Sequence, residues 1–458
     1  MDYPGLMVSV SGVRGRVGEA LTPEIVSRFA AGFGHWALSR DGVGAAIVLG
    51  RDSRVSGPMF HRAVVAALES VGARIIDLGV VPTPTIQLAV EHHHAAGGLG
   101  ITASHNPIEW NALKFIAASG LFLDGSEARE MRSVVESNFP RATWDRLGHL
   151  EHDNNAIQRH IDSILALPFI DVEGIRARKF HVALDCVRGA GGLFMPILLE
   201  RLGCVVSSIN MEPDGRFSRA PEPVAENLGE LEALVKQSGA VVGFAVDPDV
   251  DRLALVSDVG RAIGEDYTLA LAASVVLRHR DGPVVTNLST SRILDDVAER
   301  AGRKVVRAPV GEVNVATRMR SEGAAIGGEG NGGVILTELH LGRDAPVGTA
   351  LILQLLHQEN RPLSAIVADY PRYAIVKDKL DLPRAPLDSV YNSLRSAFPD
   401  ADVDMQDGMR LSWRDRWVHV RPSGTEPIVR VIAEAPTEAE ARTLIRAGRE
   451  AVESLSRN

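Results

Sequence analysis

Asp247-Pro248-Asp249-Val250-Asp251-Arg252 places three carboxylates at alternate positions between two apolar runs, Val241 to Val246 and Leu253 to Val256. On an extended backbone alternate side chains project the same way, so the spacing predicts an acidic face at the end of a core strand. Like charges crowded there are costly unless a cation neutralises them. An all-oxygen donor set suits a hard ion such as Mg²⁺, Mn²⁺ or Ca²⁺. An EF-hand also opens with alternating aspartates, but it needs glycine at its sixth position and glutamate at its twelfth. Here those positions hold Arg252 and Asp258. A solvated acidic loop is the competing reading, and the apolar runs on both sides argue against it.

Three further motifs could act with such an ion. Thr102-Ala103-Ser104-His105-Asn106-Pro107 follows the apolar Leu99-Gly100-Ile101. Ser104 therefore leaves a strand into an Asn-Pro turn, which holds an irregular backbone and exposes the hydroxyl; a turn without chemistry is the alternative. Gly328-Glu329-Gly330-Asn331-Gly332-Gly333 satisfies G-x-G-x-x-G, yet a carboxylate inside a pyrophosphate loop would repel the ligand. The Val-Ile-Leu-Thr that follows does not open like a helix. Glu329 and Asn331 on a glycine frame instead suit hydrogen bonds to adjacent sugar hydroxyls, with a plain Gly-rich turn as the alternative. Arg421-Pro422-Ser423-Gly424-Thr425-Glu426-Pro427, with Arg430 three residues on, combines guanidinium groups, two hydroxyls and backbone N–H groups into a phosphate cradle. A hairpin turn with surface arginines is its bland counterpart. No G-x-x-x-x-G-K-[ST] occurs, which argues against a nucleoside triphosphate donor. His92-His93-His94 ends a helical pattern and reads as a solvated helix C-terminus rather than a metal tract.

The elements that must position these loops recur three times. A short strand, Ala46 to Leu49, leads through a polar loop to a helix from about Met59 to Val71, a stop at Gly72 and a second strand, Arg74 to Leu78. Val182 to Leu184, a helix to Leu202, Gly203 and Val205 to Ile209 repeat the plan. Pro283 to Val285, a helix from about Ser291 to Ala301, Gly302 and Lys304 to Arg307 repeat it again. Each glycine sits where a left-handed residue ends a helix, and the alternation implies largely parallel sheets. After Asp369-Tyr370-Pro371 the plan changes to strands Trp417 to Val420 and Val429 to Ala433, then one amphipathic helix from Thr437 to about Leu455.

The length of 458 residues suggests three or four domains. A formal net charge of −9 argues against a nucleic-acid binder. No window approaches a membrane span, and Met1-Asp2-Tyr3-Pro4 lacks a basic, apolar leader. The two cysteines, Cys186 and Cys204, read as reduced core residues. The expectation is a cytoplasmic protein with a small-molecule partner.

The four motifs, in this order, resemble those of the α-D-phosphohexomutase superfamily over nearly the whole chain, including Ser11-Gly12-Val13-Arg14-Gly15. The resemblance implies a heart-shaped α/β enzyme, monomer or homodimer, of three related mixed- or parallel-sheet domains and a smaller C-terminal α+β domain. The expected divisions are 1–150 with a phosphoserine loop, 151–257 with the metal loop, 258–369 with the sugar loop and 370–458 with the phosphate loop. Ser104 is similar to the family's phosphoserine. Asp247, Asp249 and Asp251 match its Mg²⁺ ligands, with a phosphoserine oxygen of Ser104 as a further ligand. Glu329 matches the sugar-binding carboxylate. Arg421, Ser423, Gly424, Thr425 and Arg430 match the grip on the non-reacting phosphate. Arg14, His105, Lys114 and Arg252 match basic residues lining the reaction centre, with Lys114 or His105 assisting proton transfer. The implied reaction moves a phosphoryl group within a hexose phosphate through a hexose bisphosphate intermediate.

Two departures stand out. Many relatives end the sugar loop with Ser-Gly-His, where this chain has Asn331-Gly332-Gly333; that form resembles the archaeal-type branch, which includes phosphoglucosamine mutases. Pro248 replaces a commoner glycine and leaves the carboxylates intact. The branch implies interconversion of glucosamine 6-phosphate and glucosamine 1-phosphate, with a broad phosphomannomutase/phosphoglucomutase as the alternative. A haloacid-dehalogenase-like phosphatase would leave Ser104 and the Arg421 loop unexplained. A non-catalytic sugar-phosphate sensor would not need Ser104, three metal carboxylates and Lys114 together.

Overall fold

Short apolar runs and amphipathic helices assemble into four sheets in the computed structural model, which describes residues 5–10, 12–41, 45–382, 386–423 and 428–456. Strands β1 (Met7–Ser9), β2 (Gly12–Arg16), β3 (Ala46–Arg51), β4 (Arg74–Val80), β5 (Gly97–Ile101), β6 (Trp110–Ala117) and β7 (His149–His152) line up as β1-β2-β6-β5-β3-β4-β7. The second sheet takes β8 (His181–Asp185), β9 (Val205–Ile209), β10 (Val242–Val246) and β11 (Leu253–Ser257) in the order β11-β10-β8-β9. The third takes β12 (Val284–Asn287), β13 (Val305–Ala308), β14 (Ile326–Glu329) and β15 (Gly333–Leu336) as β13-β12-β14-β15. The fourth is antiparallel throughout: β16 (Ala374–Asp381), β17 (Asp402–Asp404), β18 (Met409–Ser412), β19 (Trp417–Pro422) and β20 (Ile428–Ala435), ordered β16-β20-β19-β18-β17. Helix Glu438–Ser456 covers it.

Each of the first three sheets joins parallel pairs to antiparallel ones, and the place of the antiparallel pairs bears on the site. β10 and β11 pair antiparallel across residues 247–252, and β14 and β15 do so across 330–332. A tight return suffices for an antiparallel pair, whereas a parallel pair needs a long crossover. The acidic and Glu329 motifs are therefore hairpin loops, held at the ends of buried strands. The three stop glycines behave as expected: Gly72, Gly203 and Gly302 have φ of +82°, +72° and +66°, a region open to glycine at little cost.

The second and third sheets share one continuous apolar core, from Val182 and Phe244 through Leu271 to Leu353. The first and fourth have cores of their own. Cys186 and Cys204 are free thiols that burial pushes up, Cys204 to about 12, so neither is reactive at neutral pH. Among the described residues no helix is long and apolar enough to cross a membrane.

A buried carboxylate helps dock the fourth sheet on the third. Glu434 of β20 accepts from Ser291 Oγ, from the Arg292 N–H at 2.9 Å and from Trp417 Nε1 at 2.6 Å. Asp266 accepts the Ser291 N–H at 2.9 Å, and burial, with Glu434 nearby, pushes its carboxyl up to about 7. An acid whose folded pKa exceeds its unfolded value of about 3.9 stabilises the fold less as pH rises between those two values. Melting temperature is therefore expected to carry a downward contribution from about pH 4 to 7, and Asp266→Asn is expected to remove it. An unchanged slope in the variant would assign the pH dependence to other groups.

Candidate active site

A buried arginine builds the loop that presents Ser104. Arg54 follows β3 and is fully buried. Its Nη1 donates to the carbonyls of Pro107 and Trp110 at 2.7 and 2.9 Å, and its Nη2 to those of Ser104 and Asn106 at 2.6 and 2.7 Å. Nε donates to Asp52 at 3.0 Å, Asp52 accepts from Thr102 Oγ1 at 2.7 Å, and Thr102 Oγ1 accepts the Ser104 N–H at 2.9 Å. Buried carbonyls need donors, and one guanidinium supplies four. The irregular backbone expected at the Asn-Pro turn is real, since Ser104 has φ +47°. Its hydroxyl is not open to solvent as the sequence suggests: Ser104 is 7% exposed, and Oγ donates to Asp247 Oδ2 at 2.7 Å.

The three aspartates converge, though not along an extended strand. The chain turns sharply, Val250 takes φ +62°, and the Asp251 and Arg252 N–H groups donate to Asp247 Oδ1 at 3.1 and 3.2 Å. Left-handed φ is rare for a β-branched residue, so alternate spacing brings the carboxylates together here by curling. All three are fully buried. Asp249 Oδ2 accepts from Thr83 Oγ1 and Lys114 Nζ, both at 2.7 Å, and Asp251 Oδ2 accepts from Arg343 Nη2 at 2.7 Å. That leaves Asp249 Oδ1 and Asp251 Oδ1 buried with no hydrogen-bond partner among the described residues. Burial, then the neighbouring Asp251 and Asp249, pushes the Asp247 carboxyl far above its ordinary range. Two orphaned anionic oxygens beside a third carboxylate and a serine hydroxyl fit a hard divalent cation.

Cations surround this acidic centre. Burial works against charge on Lys114, but Asp249 and Asp251 override it and hold the ammonium above its usual pKa. His105 Nδ1 lies 3.4 Å from Ser104 Oγ. Arg252 first, then burial and Arg14, push its imidazole down to about 2, so it is neutral at physiological pH. Arg14 Nη1 donates to Asn106 Oδ1 at 3.3 Å, and Arg252 Nη1 donates to Glu222 at 2.8 Å. Such a cluster around a hydroxyl nucleophile suits phosphoryl chemistry, in which charge neutralisation dominates.

The glycine-framed loop lies against the same centre: the Leu253 N–H donates to Gly332 O at 3.0 Å. Glu329 is buried and already receives Asn287 Nδ2 at 2.9 Å, the Gly311 N–H at 3.1 Å and Arg343 Nη1 at 2.7 Å. Asn331 is only half-buried. On the fourth sheet Arg421 of β19 stands directly opposite Arg430 of β20. Like charges opposed across a ladder are unfavourable unless countered. Arg421 Nε is held 2.8 Å from Asp407, which also accepts the Val310 N–H at 3.1 Å and so ties this sheet to the third. The Ser423 N–H donates to Ile428 O at 2.8 Å. Gly424 and Thr425 lie outside the described residues.

Models of phosphoglucomutase/phosphomannomutase domains match in order along the chain: alpha/beta/alpha domain I at residues 6–141, domain II at 158–260, domain III at 264–373 and the C-terminal domain at 388–450. The chain belongs to the phosphoglucomutase/phosphomannomutase family. It is 39% identical over 453 residues to a phosphoglucomutase/phosphomannomutase of Thermococcus kodakarensis, covering 97% of this chain and 98% of the relative. It is 36% identical over 444 residues to a probable phosphoglucosamine mutase of Methanopyrus kandleri, covering 96% of both. A crystal structure of a phosphoglucomutase/phosphomannomutase family protein from Burkholderia thailandensis superposes with a TM-score of 0.84 at 25% identity, covering 98% of both chains.

Within this family member, the residues invisible to sequence reasoning are Asp52, Arg54, Thr83 and Arg343. The polar run Arg51-Asp52-Ser53-Arg54 at the exit of a buried strand is the one usable signal for the first two. A second buried cluster, His160, His340 and Asp344, has the composition of a metal site, but its protons argue otherwise. Both Nε2 atoms contact Asp344 Oδ2, at 2.7 and 2.9 Å, and the Gly342 N–H donates to His340 Nδ1 at 3.1 Å. His340 must therefore carry its proton on Nε2, where a metal would need a lone pair. The cluster is a hydrogen-bonded clamp on Asp344, which also caps helix Ala345–Glu359. His92 of the histidine run is exposed at the end of helix Thr83–His92, and His93 pairs with Asp153 at 2.8 Å.

Proposed function

We propose that the protein is a phosphohexomutase that interconverts glucosamine 6-phosphate and glucosamine 1-phosphate through a phosphorylated Ser104. The observation that carries the chemistry is Ser104 Oγ, 2.7 Å from Asp247, beside two orphaned carboxylate oxygens and within the field of Arg14, Arg252, Arg343 and Lys114. In the forward half-reaction the bond from phosphorus to Ser104 Oγ breaks as a bond to the sugar hydroxyl forms, giving a hexose bisphosphate. The bisphosphate then reorients, and its other phosphate returns a phosphoryl group to Ser104. Asp247, Asp249 and Asp251, with a phosphoserine oxygen, would hold one Mg²⁺, which supplies charge neutralisation at the transferred group. The proton of the attacking sugar hydroxyl ends on Ser104 Oγ as that oxygen leaves, with Lys114 or His105, both beside the reaction centre, assisting its transfer. Arg252 and Arg14 balance charge on the phosphoryl oxygens, and Glu329 with Asn331 orients the sugar. Arg421, Ser423, Gly424, Thr425 and Arg430 grip the phosphate that is not reacting.

The amino sugar is favoured by relatives named as probable phosphoglucosamine mutases, at 36% and 34% identity. The 39% relative named phosphoglucomutase/phosphomannomutase supports a second reading of broad specificity. Glucosamine, glucose and mannose phosphates differ at C2, and contacts elsewhere on the ring cannot tell them apart. Comparing kcat/KM for glucosamine 1-phosphate, glucose 1-phosphate and mannose 1-phosphate decides between the two. A preference for either neutral sugar would overturn the glucosamine assignment, and turnover of none of the three would overturn the mutase.

Arg421→Ala is expected to raise KM about 10- to 100-fold, the equivalent of one lost charge-assisted contact. It is also expected to release free bisphosphate, because the same grip holds the intermediate while it turns. Quantifying bisphosphate in the quenched reaction checks this. A fall in kcat alone, with no intermediate in solution, would assign Arg421 another role.

A further inference from the structure

We propose that Arg343 is a positioning residue that couples the metal loop to the sugar loop, so that an ion bound by Asp251 sets the order of residues 329–333. Its guanidinium faces three carboxylates from different segments: Nη2 lies 2.7 Å from Asp251 Oδ2, Nη1 2.7 Å from Glu329 Oε2 and Nε 3.0 Å from Glu312 Oε2. Arg343 and its partners are buried, so each pair acts in a medium that screens it poorly. The contact to Asp251 occupies Oδ2 and leaves Oδ1, 3.8 Å from Arg252 Nε and without a hydrogen-bond partner among the described residues, as the oxygen available to an ion. By holding Oδ2 the guanidinium aims Oδ1, so an ion bound there would fix Asp251 and, through the same guanidinium, Glu329. The planar fork lets one side chain serve both loops at once, which the single ammonium of lysine cannot.

Two features show that this side chain is held in place. The Arg343 N–H donates to Glu312 Oε1 at 3.2 Å, and the next residue, Asp344, is gripped by His160, His340 and the Val347 N–H. The sugar loop is also shaped around it. A Cβ on Gly333 would stand 2.3 Å from Arg343 Cδ, so the loop closes over the arginine only as glycine. A second route between the loops exists, the Leu253 N–H on Gly332 O, and the test must separate the two.

The proposal rests on reading 247–251 as the metal loop and 329–333 as the sugar loop, but its test uses no substrate. Absence of mutase turnover would therefore count against the function alone. The full-length protein is titrated with Mn²⁺ by electron paramagnetic resonance, and hydrogen exchange of peptides spanning 326–336 is followed with and without saturating Mn²⁺. In the wild type Mn²⁺ is expected to slow exchange in these peptides. Arg343→Gln is expected to weaken Mn²⁺ binding by about 10- to 100-fold, as for other residues that orient a metal ligand, and to abolish the slowing at saturation. Arg343→Lys should recover part of the affinity without the slowing. Glu312→Gln, which keeps both bridging pairs, should retain the slowing and serves if Arg343→Gln does not fold. Wild-type peptides indifferent to Mn²⁺, an Arg343→Gln protein that keeps the slowing, or a Glu312→Gln protein that loses it would each overturn the proposal.

Discussion

Ser104→Ala is expected to reduce mutase turnover by about 10⁴-fold or more, the order found when a covalent nucleophile is removed, without unfolding the protein. The oxygen lost is the one proposed to accept and return the phosphoryl group, and among the described residues no other hydroxyl contacts the Asp247 carboxylate. The loop itself survives the change, because Arg54 holds the carbonyls of residues 104 and 106 and Thr102 Oγ1 accepts the N–H of residue 104, backbone groups that alanine keeps. Intact mass spectrometry gives the second readout. Wild-type protein incubated with hexose bisphosphate should gain one phosphoryl group, and Ser104→Ala should gain none. Full turnover in the variant, or stable phosphate on another residue, would remove Ser104 from the mechanism.

Stripping divalent cations is expected to cost nearly as much. With chelator present, three fully buried carboxylates lie side by side, and only the surrounding guanidinium and ammonium groups are left to offset charge on the transferred group. Activity should fall by at least 10³-fold and return on adding Mg²⁺, since oriented charge stabilisation at such a centre is worth several kcal/mol. Asp249→Asn should behave like incomplete chelation: it removes an orphaned anionic oxygen and weakens the hold on Lys114 and Thr83. Raising the Mg²⁺ concentration should rescue it in part. Unchanged turnover in excess chelator would refute the metal assignment.

Much of this site was legible because its parts lie close in sequence. Ser104 before Asn106-Pro107 and the three alternating aspartates between apolar runs each stand within a few residues in sequence, and the structure brings the two motifs together at 2.7 Å. The four-part fold was legible from strand, helix and glycine-stop order. What was lost was geometry set by tertiary contact. The curl at Val250 contradicts the preference of a β-branched residue, so the acidic run read as extended. Arg343 sits in a Leu-Gly-Arg-Asp stretch with no spacing signal, and its partners Asp251 and Glu329 lie on other loops. Ser104 read as exposed because nothing local announces that Asp247, 143 residues on, will cover it. Which edge strands return as antiparallel hairpins was likewise not legible, because strand–helix order does not reveal it.

The acidic loop draws its counter-charges from both directions along the chain, and that bears on synthesis. Lys114 precedes Asp249 by 135 residues, and Arg343 follows Asp251 by 92. A chain growing on the ribosome thus exposes its three aspartates with an early cation at hand and the later one still unmade. The second sheet also waits for the third to complete their shared apolar core. Chains arrested between about residues 280 and 340 should accordingly be more protease-sensitive around 247–253 than chains released beyond Arg343, and this loop should be among the last parts of the first three domains to mature.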